Sequence, residues 1–247
     1  MTRLSVNLNK VALLRNARTL GIPSVVRMGE IALDAGAAGL TVHPRPDQRH
    51  IRPHDVHDLA ALAKARNVEY NIEGNPFENL LDYARELRPQ QCTLVPDDPL
   101  QLTSDHGWDL ARDGARLQPL ISDLKPLGVR VSLFMDAAAS SMRQAAEVGA
   151  DCVELYTEPY AAAHASGSYE VYLARFADAA RAARTAGLQV NAGHDLNIPN
   201  LTPLIAACHP VSEVSIGHAL TADALEFGMA ATVKKYLAAI AMGLAGK

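Results

Sequence analysis

Cationic and titratable side chains are concentrated in the stretch TVHPRPDQRH, residues 41–50. His43, Arg45, Arg49 and His50 fall within this stretch, although the chain of 247 residues carries a formal net charge of -4 at pH 7. Histidine titrates near neutral pH and moves protons, while the arginine guanidinium binds phosphate oxygens in pairs. The stretch therefore predicts acid/base chemistry beside a bound phosphate. Arginines that only keep a loop soluble are the alternative, which fits Arg49 and Arg52 better.

Polar residues also stand in or at the ends of other apolar runs. They are Asn7, Asn9, Glu73, Glu154, Asn191, His194 and His218. A single histidine in such a place is more often a hydrogen-bonded structural group than a catalyst, and Glu154 could simply pair with a neighbouring cation. Together with His43, these residues make three histidines and two glutamates. The set favours a catalytic role, because a buried glutamate can be tuned to work as an acid or base near neutral pH.

A second anion site is predicted from NAGHD (191–195) and SIGHA (215–219). Gly193 and Gly217 would let backbone N–H groups approach an anion closely. Thr221 is a candidate N-cap for the last helix, whose positive end favours phosphate.

Eight short apolar runs alternate with longer Ala- and Leu-rich segments. The runs are 4–8, 39–43, 68–73, 92–96, 129–136, 152–157, 188–194 and 213–218. Most of them lack a strict alternation of polar and apolar residues, as expected of parallel strands covered on both faces. Segments with helical spacing are 27–37, 53–66, 77–87, 140–150, 168–187 and the segment from Thr221 onward.

This order predicts an α/β fold, a (β/α)8 TIM barrel, in one domain spanning residues 1–247. A barrel of this kind has about 250 residues and builds its site at the carboxyl ends of its strands. The alternative is an open doubly wound sheet, for which the first strand lacks a following GxGxxG. The stretches 10–24 and 97–128 are long enough to hold extra helices.

Composition excludes several classes of protein. No apolar run reaches the roughly 20 residues of a membrane span, and the N-terminus lacks the apolar stretch of a signal peptide, so we expect a cytoplasmic protein with no membrane partner. Cys92, Cys152 and Cys208 are widely spaced and read as buried thiols. The negative net charge, without a long basic helix, argues against nucleic acid as a partner.

Six segments together resemble the pyridoxine 5'-phosphate synthase family, in order and with almost unchanged spacing. They are VNLNKVALLRNAR (6–18), TVHPRPDQRHI (41–51), VSLFMD (131–136), AAEVGA (145–150), VNAGHDL (190–196) and IGHAL (216–220). The resemblance implies the condensation of 3-amino-2-oxopropyl phosphate (aminoacetone phosphate) with 1-deoxy-D-xylulose 5-phosphate. The products would be pyridoxine 5'-phosphate, inorganic phosphate and water. It also implies no metal or redox cofactor, and a homo-oligomer, an octamer.

The resemblance assigns roles to particular residues. His43 and Glu73 would be an acid/base pair in which His43 takes protons, His194 would donate protons, and Glu154 would stabilise a transition state. Aminoacetone phosphate would contact Asn7, Arg18, the backbone at Asp195, Gly217 and His218. The deoxyxylulose phosphate would contact Asn9, Lys10, Arg45, His50 and Thr103.

Three positions depart from the family pattern. The family usually has Asp-His where this chain has Asn9-Lys10, and Gly where this chain has Asp195. The loop after Glu73 reads GNPFENL and is also unusual. Lys10 would still hold anionic or carbonyl groups of a substrate, and Asp195 would use only its backbone N–H.

Two other functions fit parts of the pattern. A metal-dependent barrel hydrolase or aldolase could place His43, His194, His218, Glu73 and Asp136 around a divalent ion. A non-catalytic barrel that binds sugar phosphates would account for the Asn9-Lys10 change, although His43, Glu73 and His194 together argue against it.

Overall fold

Eight parallel strands pair in chain order and close into a barrel, the last strand pairing with the first. The computed structural model describes residues 2–98, 101 and 103–245. The strands are β1 (Arg3–Asn7), β2 (Gly39–Val42), β3 (Glu69–Gly74), β4 (Gln91–Leu94), β5 (Arg130–Met135), β6 (Cys152–Tyr156), β7 (Gln189–His194) and β8 (Glu213–Ile216). The predicted (β/α)8 barrel is confirmed, and every predicted strand is present.

Helices cover the outside of the barrel. In the described part of the chain they are α1 (Asn9–Asn16), α2 (Val25–Asp34), α3 (Pro53–Arg66), α4 (Leu80–Leu87), α5 (Leu110–Leu124), α6 (Ala139–Glu147), α7 (Glu158–Ala165), α8 (Glu170–Thr185), α9 (Ile198–Cys208), α10 (His218–Phe227) and α11 (Met229–Ala245). None of these helices is long and apolar enough to cross a membrane.

Of the two extra helices expected, one is present. Helix α1 lies in the stretch 10–24 as predicted. The stretch 97–128 contains α5 and a single 3₁₀ turn, Lys125–Leu127, but no second α-helix among its described residues. Among the described residues between β4 and α5, the Gln101 carbonyl accepts hydrogen bonds from the side chains of Arg45 and Arg49.

Local sequence signals set several helix ends. Pro53 stands at the start of α3, where its missing N–H costs nothing. Asn67 ends the same helix in the left-handed conformation with φ 51°, which asparagine tolerates better than most residues. The Ser24 side chain accepts a hydrogen bond from the backbone N–H of Arg27 and caps α2.

The predicted start of the last helical segment is wrong. Gly217 is the N-cap of α10 and the helix begins at His218, three residues before Thr221. The backbone N–H of Thr221 already donates to the Gly217 carbonyl within the first turn. A second helix, α11, follows after Gly228 ends α10.

The barrel interior is polar, whereas branched apolar side chains fill most barrels of this type. Side chains bond one another there: Ser5 bonds Thr41 of the neighbouring strand at 2.7 Å, and Asn191 on β7 donates across the barrel to Gln91 on β4 at 3.1 Å. At the amino ends of the strands, Glu69 pairs with Arg3 and Arg130. The apolar core therefore lies between the outer face of the barrel and the helices.

Candidate active site

A cavity of about 480 Å³ opens at the carboxyl ends of the strands. It is lined by Asn7, Asn9, Lys10, Leu13, His43, Arg45, Arg49, His50, Thr103, Ser104, His194, Asp195, Ser215, Gly217 and His218. Catalytic groups of this fold come from this end of the barrel. Most of the residues singled out in the sequence are therefore brought together here.

Two asparagines, one at the end of β1 and one at the start of α1, hold His43 in place after β2. The Asn9 side chain accepts a hydrogen bond from the backbone N–H of His43 at 2.9 Å. The backbone N–H of Asn9 in turn donates to the side-chain oxygen of Asn7 at 3.0 Å. The side-chain oxygen of Asn9 thus binds the protein's own backbone. Only the side-chain nitrogen of Asn9 remains for the contact with substrate that we expected.

Asp97 is a functional candidate that the sequence analysis missed. Its carboxylate lies 3.5 Å from Nε2 of His43, forms an ion pair with Arg45 and accepts a hydrogen bond from Ser104 at 3.0 Å. Asp97 is only 5% exposed. The available signal was its position directly after the LVP run that ends the fourth predicted strand.

Cations surround His43 and set its protonation state. Burial lowers the pKa of the His43 imidazole well below 6.5, and the positive charge of Arg45 lowers it further. The same two causes, burial and Arg45, lower the pKa of His50 to about 4, with Lys10 adding to the effect. Both imidazoles are neutral near pH 7, so His43 is poised to accept a proton.

His194 has the opposite electrostatic environment. Its Nδ1 atom lies 3.4 Å from Oε1 of Glu154 on β6. Burial alone would lower the pKa of the His194 imidazole, but the carboxylates of Glu154 and Glu73 outweigh burial and raise the pKa to about 9. His194 is therefore cationic near pH 7 and poised to donate a proton.

Glu73 and Glu154 are buried inside the barrel and do not line the cavity. Burial raises the pKa of the Glu73 carboxyl well above its usual value, and the nearby charge of Glu154 raises it further. The buried Glu73 carboxyl therefore holds its proton more tightly than an exposed glutamate does. Apart from the ion pair between Glu154 and His194, Oε2 of Glu73 and both carboxyl oxygens of Glu154 have no partner within the described protein, which leaves them able to bind water.

Two glycines allow the close approaches that shape the cavity floor. A Cβ atom on Gly193 would lie 2.5 Å from Oε1 of Glu154 and 2.7 Å from the Ser215 carbonyl. A Cβ atom on Gly217 would lie 3.0 Å from the side-chain oxygen of Asn7. Since Gly217 also caps α10, the positive end of that helix faces the cavity beside His218.

The structure does not bring every predicted residue into the cavity. Arg18 lies exposed after the end of α1 and is not part of the lining. Arg15, from the same segment, is buried instead and pairs with Asp55 at 2.8 Å. The backbone N–H of Asp195, which we expected to face a phosphate, donates to Thr157 and Gly193 within the protein. Arg52 is exposed at the start of α3, as the solubility interpretation predicts.

A second, shallower groove of about 830 Å³ lies outside the barrel between α6 and α8. Its charged residues pair with one another, Arg143 with Glu147 and Arg181 with Asp178. It lies on the outer helices, and its lining holds no histidine. Over the described ranges, no three His, Cys, Asp or Glu side chains are placed to hold a metal ion together.

The fold and the cavity define a (β/α)8-barrel enzyme in which a neutral and a cationic histidine face a basic cavity. The profile of the family described as "Pyridoxal phosphate biosynthesis protein PdxJ" matches residues 4–242. The chain therefore belongs to that family, as the six sequence segments predicted.

Curated relatives are similar over nearly their whole length. The pyridoxine 5'-phosphate synthase of Albidiferax ferrireducens is 58% identical, covering 98% of both chains. That of Xanthomonas campestris pv. campestris is 57% identical over 98% of this chain and 97% of the relative. That of Xylella fastidiosa is 54% identical over 96% of this chain and 94% of the relative.

Solved structures of low sequence identity share the fold. Thiamine phosphate pyrophosphorylase from Pyrococcus furiosus aligns with a TM-score of 0.62 at 11% identity, over 98% of this chain and 96% of the other. Tryptophan synthase from M. tuberculosis aligns with a TM-score of 0.66 at 11% identity, over 97% and 92%. These likenesses concern the barrel alone.

Proposed function

We propose that this chain is a pyridoxine 5'-phosphate synthase, condensing aminoacetone phosphate with 1-deoxy-D-xylulose 5-phosphate. The observation that carries the proposal is the pair of histidines in one cavity, His43 neutral and His194 cationic. Imine formation, phosphate elimination and dehydration each move protons, so a base and an acid facing the same substrates are what the reaction needs. Membership of the family supports this function over a metal-dependent hydrolase or a non-catalytic barrel.

In this proposal His43 removes protons and His194 returns them. Glu154 holds the imidazolium of His194 at 3.4 Å and stabilises positive charge that develops beside it. Glu73, whose buried carboxyl has a raised pKa, is a second group that would give up and take back a proton. No step in this scheme calls on a metal or a redox cofactor.

Two basic regions of the cavity support the binding of two phosphorylated substrates. Lys10, Arg45, His50 and Thr103 line the cavity, and the deoxyxylulose phosphate would bind to them. Asn7, Gly217 and His218 line it at the positive end of α10, where aminoacetone phosphate would bind. Arg45 is already paired with Asp97, so a phosphate there would share or displace that carboxylate.

Assembly and location belong to the same proposal. We infer a homo-octamer, as the family resemblance implies, and exposed apolar residues support an interface at α1 and the segment that follows it. These residues are Leu13, Leu14, Leu20 and Ile22. The three free cysteines support a reducing compartment, the cytoplasm. The barrel and its helices would act as one catalytic domain.

A direct assay tests the function. Purified protein is mixed with both phosphorylated substrates, and pyridoxine 5'-phosphate is followed by its absorbance and fluorescence. We expect product from the wild type and loss of product in His43→Ala and Glu73→Gln. His57→Ala, which removes a histidine from the outer helix α3, should keep wild-type turnover. A folded wild type that makes no product would overturn the proposal.

A further inference from the structure

His194 has a backbone conformation that is uncommon for a residue with a side chain. Its φ angle is 78°, in the left-handed region. The backbone N–H of Asp195 lies 3.3 Å from the Gly193 carbonyl, which closes a γ-turn centred on His194. A γ-turn with positive φ is rare and strained, so the surrounding structure must hold it.

The Thr157 hydroxyl connects both sides of this turn. It donates a hydrogen bond to the Gly193 carbonyl and accepts one from the backbone N–H of Asp195 at 3.2 Å. Thr157 follows β6 and is completely buried. A hydroxyl can donate and accept at the same time, which a methyl group of the same size cannot do.

The position of the turn decides where the His194 imidazole lies. Gly193 packs directly against the Glu154 carboxylate, and the imidazole reaches the same carboxylate at 3.4 Å while its ring lies 4.9 Å from the Phe134 ring. Thr157 is not part of the cavity lining. Its effect on bound substrates would therefore pass through His194.

We propose that Thr157 is a positioning residue, whose hydroxyl locks the 193–195 turn and holds the His194 imidazole against Glu154 for proton transfer. This inference rests on the proposed function, because it assigns His194 the donor role. An imidazole displaced by about 1 Å can lower a rate by about 100-fold. Loss of the hydroxyl should therefore act on turnover and leave substrate binding nearly unchanged.

Three variants separate positioning from packing. Thr157→Val keeps the shape of the side chain and removes the hydroxyl, whereas Thr157→Ser keeps the hydroxyl and removes the methyl group. Thr202→Val is the matched control, because it deletes a threonine hydroxyl that donates to a backbone carbonyl, that of Ala239, far from the cavity. We expect Thr157→Val to lower kcat by about 10- to 100-fold with KM for both substrates little changed. Thr157→Ser should restore most of kcat, and Thr202→Val should match the wild type.

The pH profile gives a readout that a purely structural role would not move. The charged and titratable groups that act on the His194 imidazole are Glu154 from β6, Glu73 from β3, Asp195 in the turn, His43 after β2 and Asp97 after β4. If Thr157→Val lets the imidazole move away from Glu154, the basic limb of kcat shifts to lower pH. Thr157→Ser should leave that limb in place.

Several results would overturn the inference. One is a Thr157→Val enzyme with wild-type kcat and pH profile, another is a rise in KM with kcat unchanged, and a third is failure of Thr157→Ser to restore kcat. Wild-type turnover reports separately on the proposed function. If the wild type made no product, crystal structures of wild type and Thr157→Val would still test the positional claim, since an unchanged turn at 193–195 in the variant would refute it.

Discussion

At the scale of single residues, His43 and His194 show how the same type of side chain, the imidazole, serves two roles in two environments. Arg45 and burial keep His43 neutral, while Glu154 and Glu73 keep His194 protonated. The working state therefore needs His43 without its extra proton and His194 with it. Activity should begin to fall on the acid side only below pH 6.5, and on the basic side near pH 9.

Replacing Glu154 tests this assignment of charges. Glu154→Gln removes the carboxylate closest to His194, so the pKa of the imidazole should fall toward its usual value. We expect the basic limb of the kcat profile to move down from about pH 9, by about 1 to 3 pH units. The measurement is kcat between pH 5 and 10, with Asp58→Asn on the exposed face of α3 as control. A basic limb that stays near pH 9 in Glu154→Gln would contradict the assignment.

Lys10 tests how the departure from the family pattern is used. Its side chain lines the cavity beside His50 and Arg45, where an ammonium group can bind an anionic or carbonyl oxygen. Lys10→Ala should raise KM for the deoxyxylulose phosphate by about tenfold, which corresponds to the loss of one charge-assisted hydrogen bond. KM for aminoacetone phosphate should change much less. Equal changes in both Michaelis constants, or none, would show that Lys10 does not distinguish the substrates.

Some site residues could not be predicted from sequence because their roles depend on contacts between distant segments. Asp97 gains its importance from His43 and Arg45, which lie more than fifty residues earlier in the chain. Thr157 acts on a turn thirty-six residues later. His43, His194 and Glu154, by contrast, were predictable from their positions in or at the ends of apolar runs, since parallel strands direct those ends to one face.

At the scale of elements, all eight strands were predicted to within two residues, because apolar β-rich runs bounded by glycine or polar residues are a strong signal. Helices α7 and α9 were missed. Helix α9 has Pro199 in its first turn and Pro203 inside, and proline disfavours a helix interior. Helix α7 is only eight residues long and mostly alanine after its first turn, so it has no distinct apolar face.

A buried ion pair between α1 and α3 positions the loop that carries the basic residues. Arg15 and Asp55 are both buried, and Arg15 also donates to the His50 carbonyl at 3.2 Å. Asp55→Asn leaves the Arg15 charge without its partner, which costs about 3 to 5 kcal/mol of folding free energy. Asp58→Asn, on the exposed face of the same helix, should change stability by less than about 0.5 kcal/mol. Thermal unfolding of both variants at one protein concentration is the measurement, and equal midpoints would contradict this account.

At the scale of the whole molecule, substitutions in the segment after α1 test the proposed assembly into an octamer. Leu20 and Ile22 are 68% and 65% exposed, which makes this apolar segment the interface expected for the proposed octamer. If eight chains assemble and this segment forms part of their interface, the wild type should have a mass eight times 26.4 kDa by light scattering. The double variant Leu20→Asp, Ile22→Asp places charges in that interface and should give smaller species. Gln118→Asp, at an exposed polar position on α5, should leave the mass unchanged. A double variant that keeps the full mass would exclude this segment from the interface, and a wild type of 26.4 kDa would refute assembly itself.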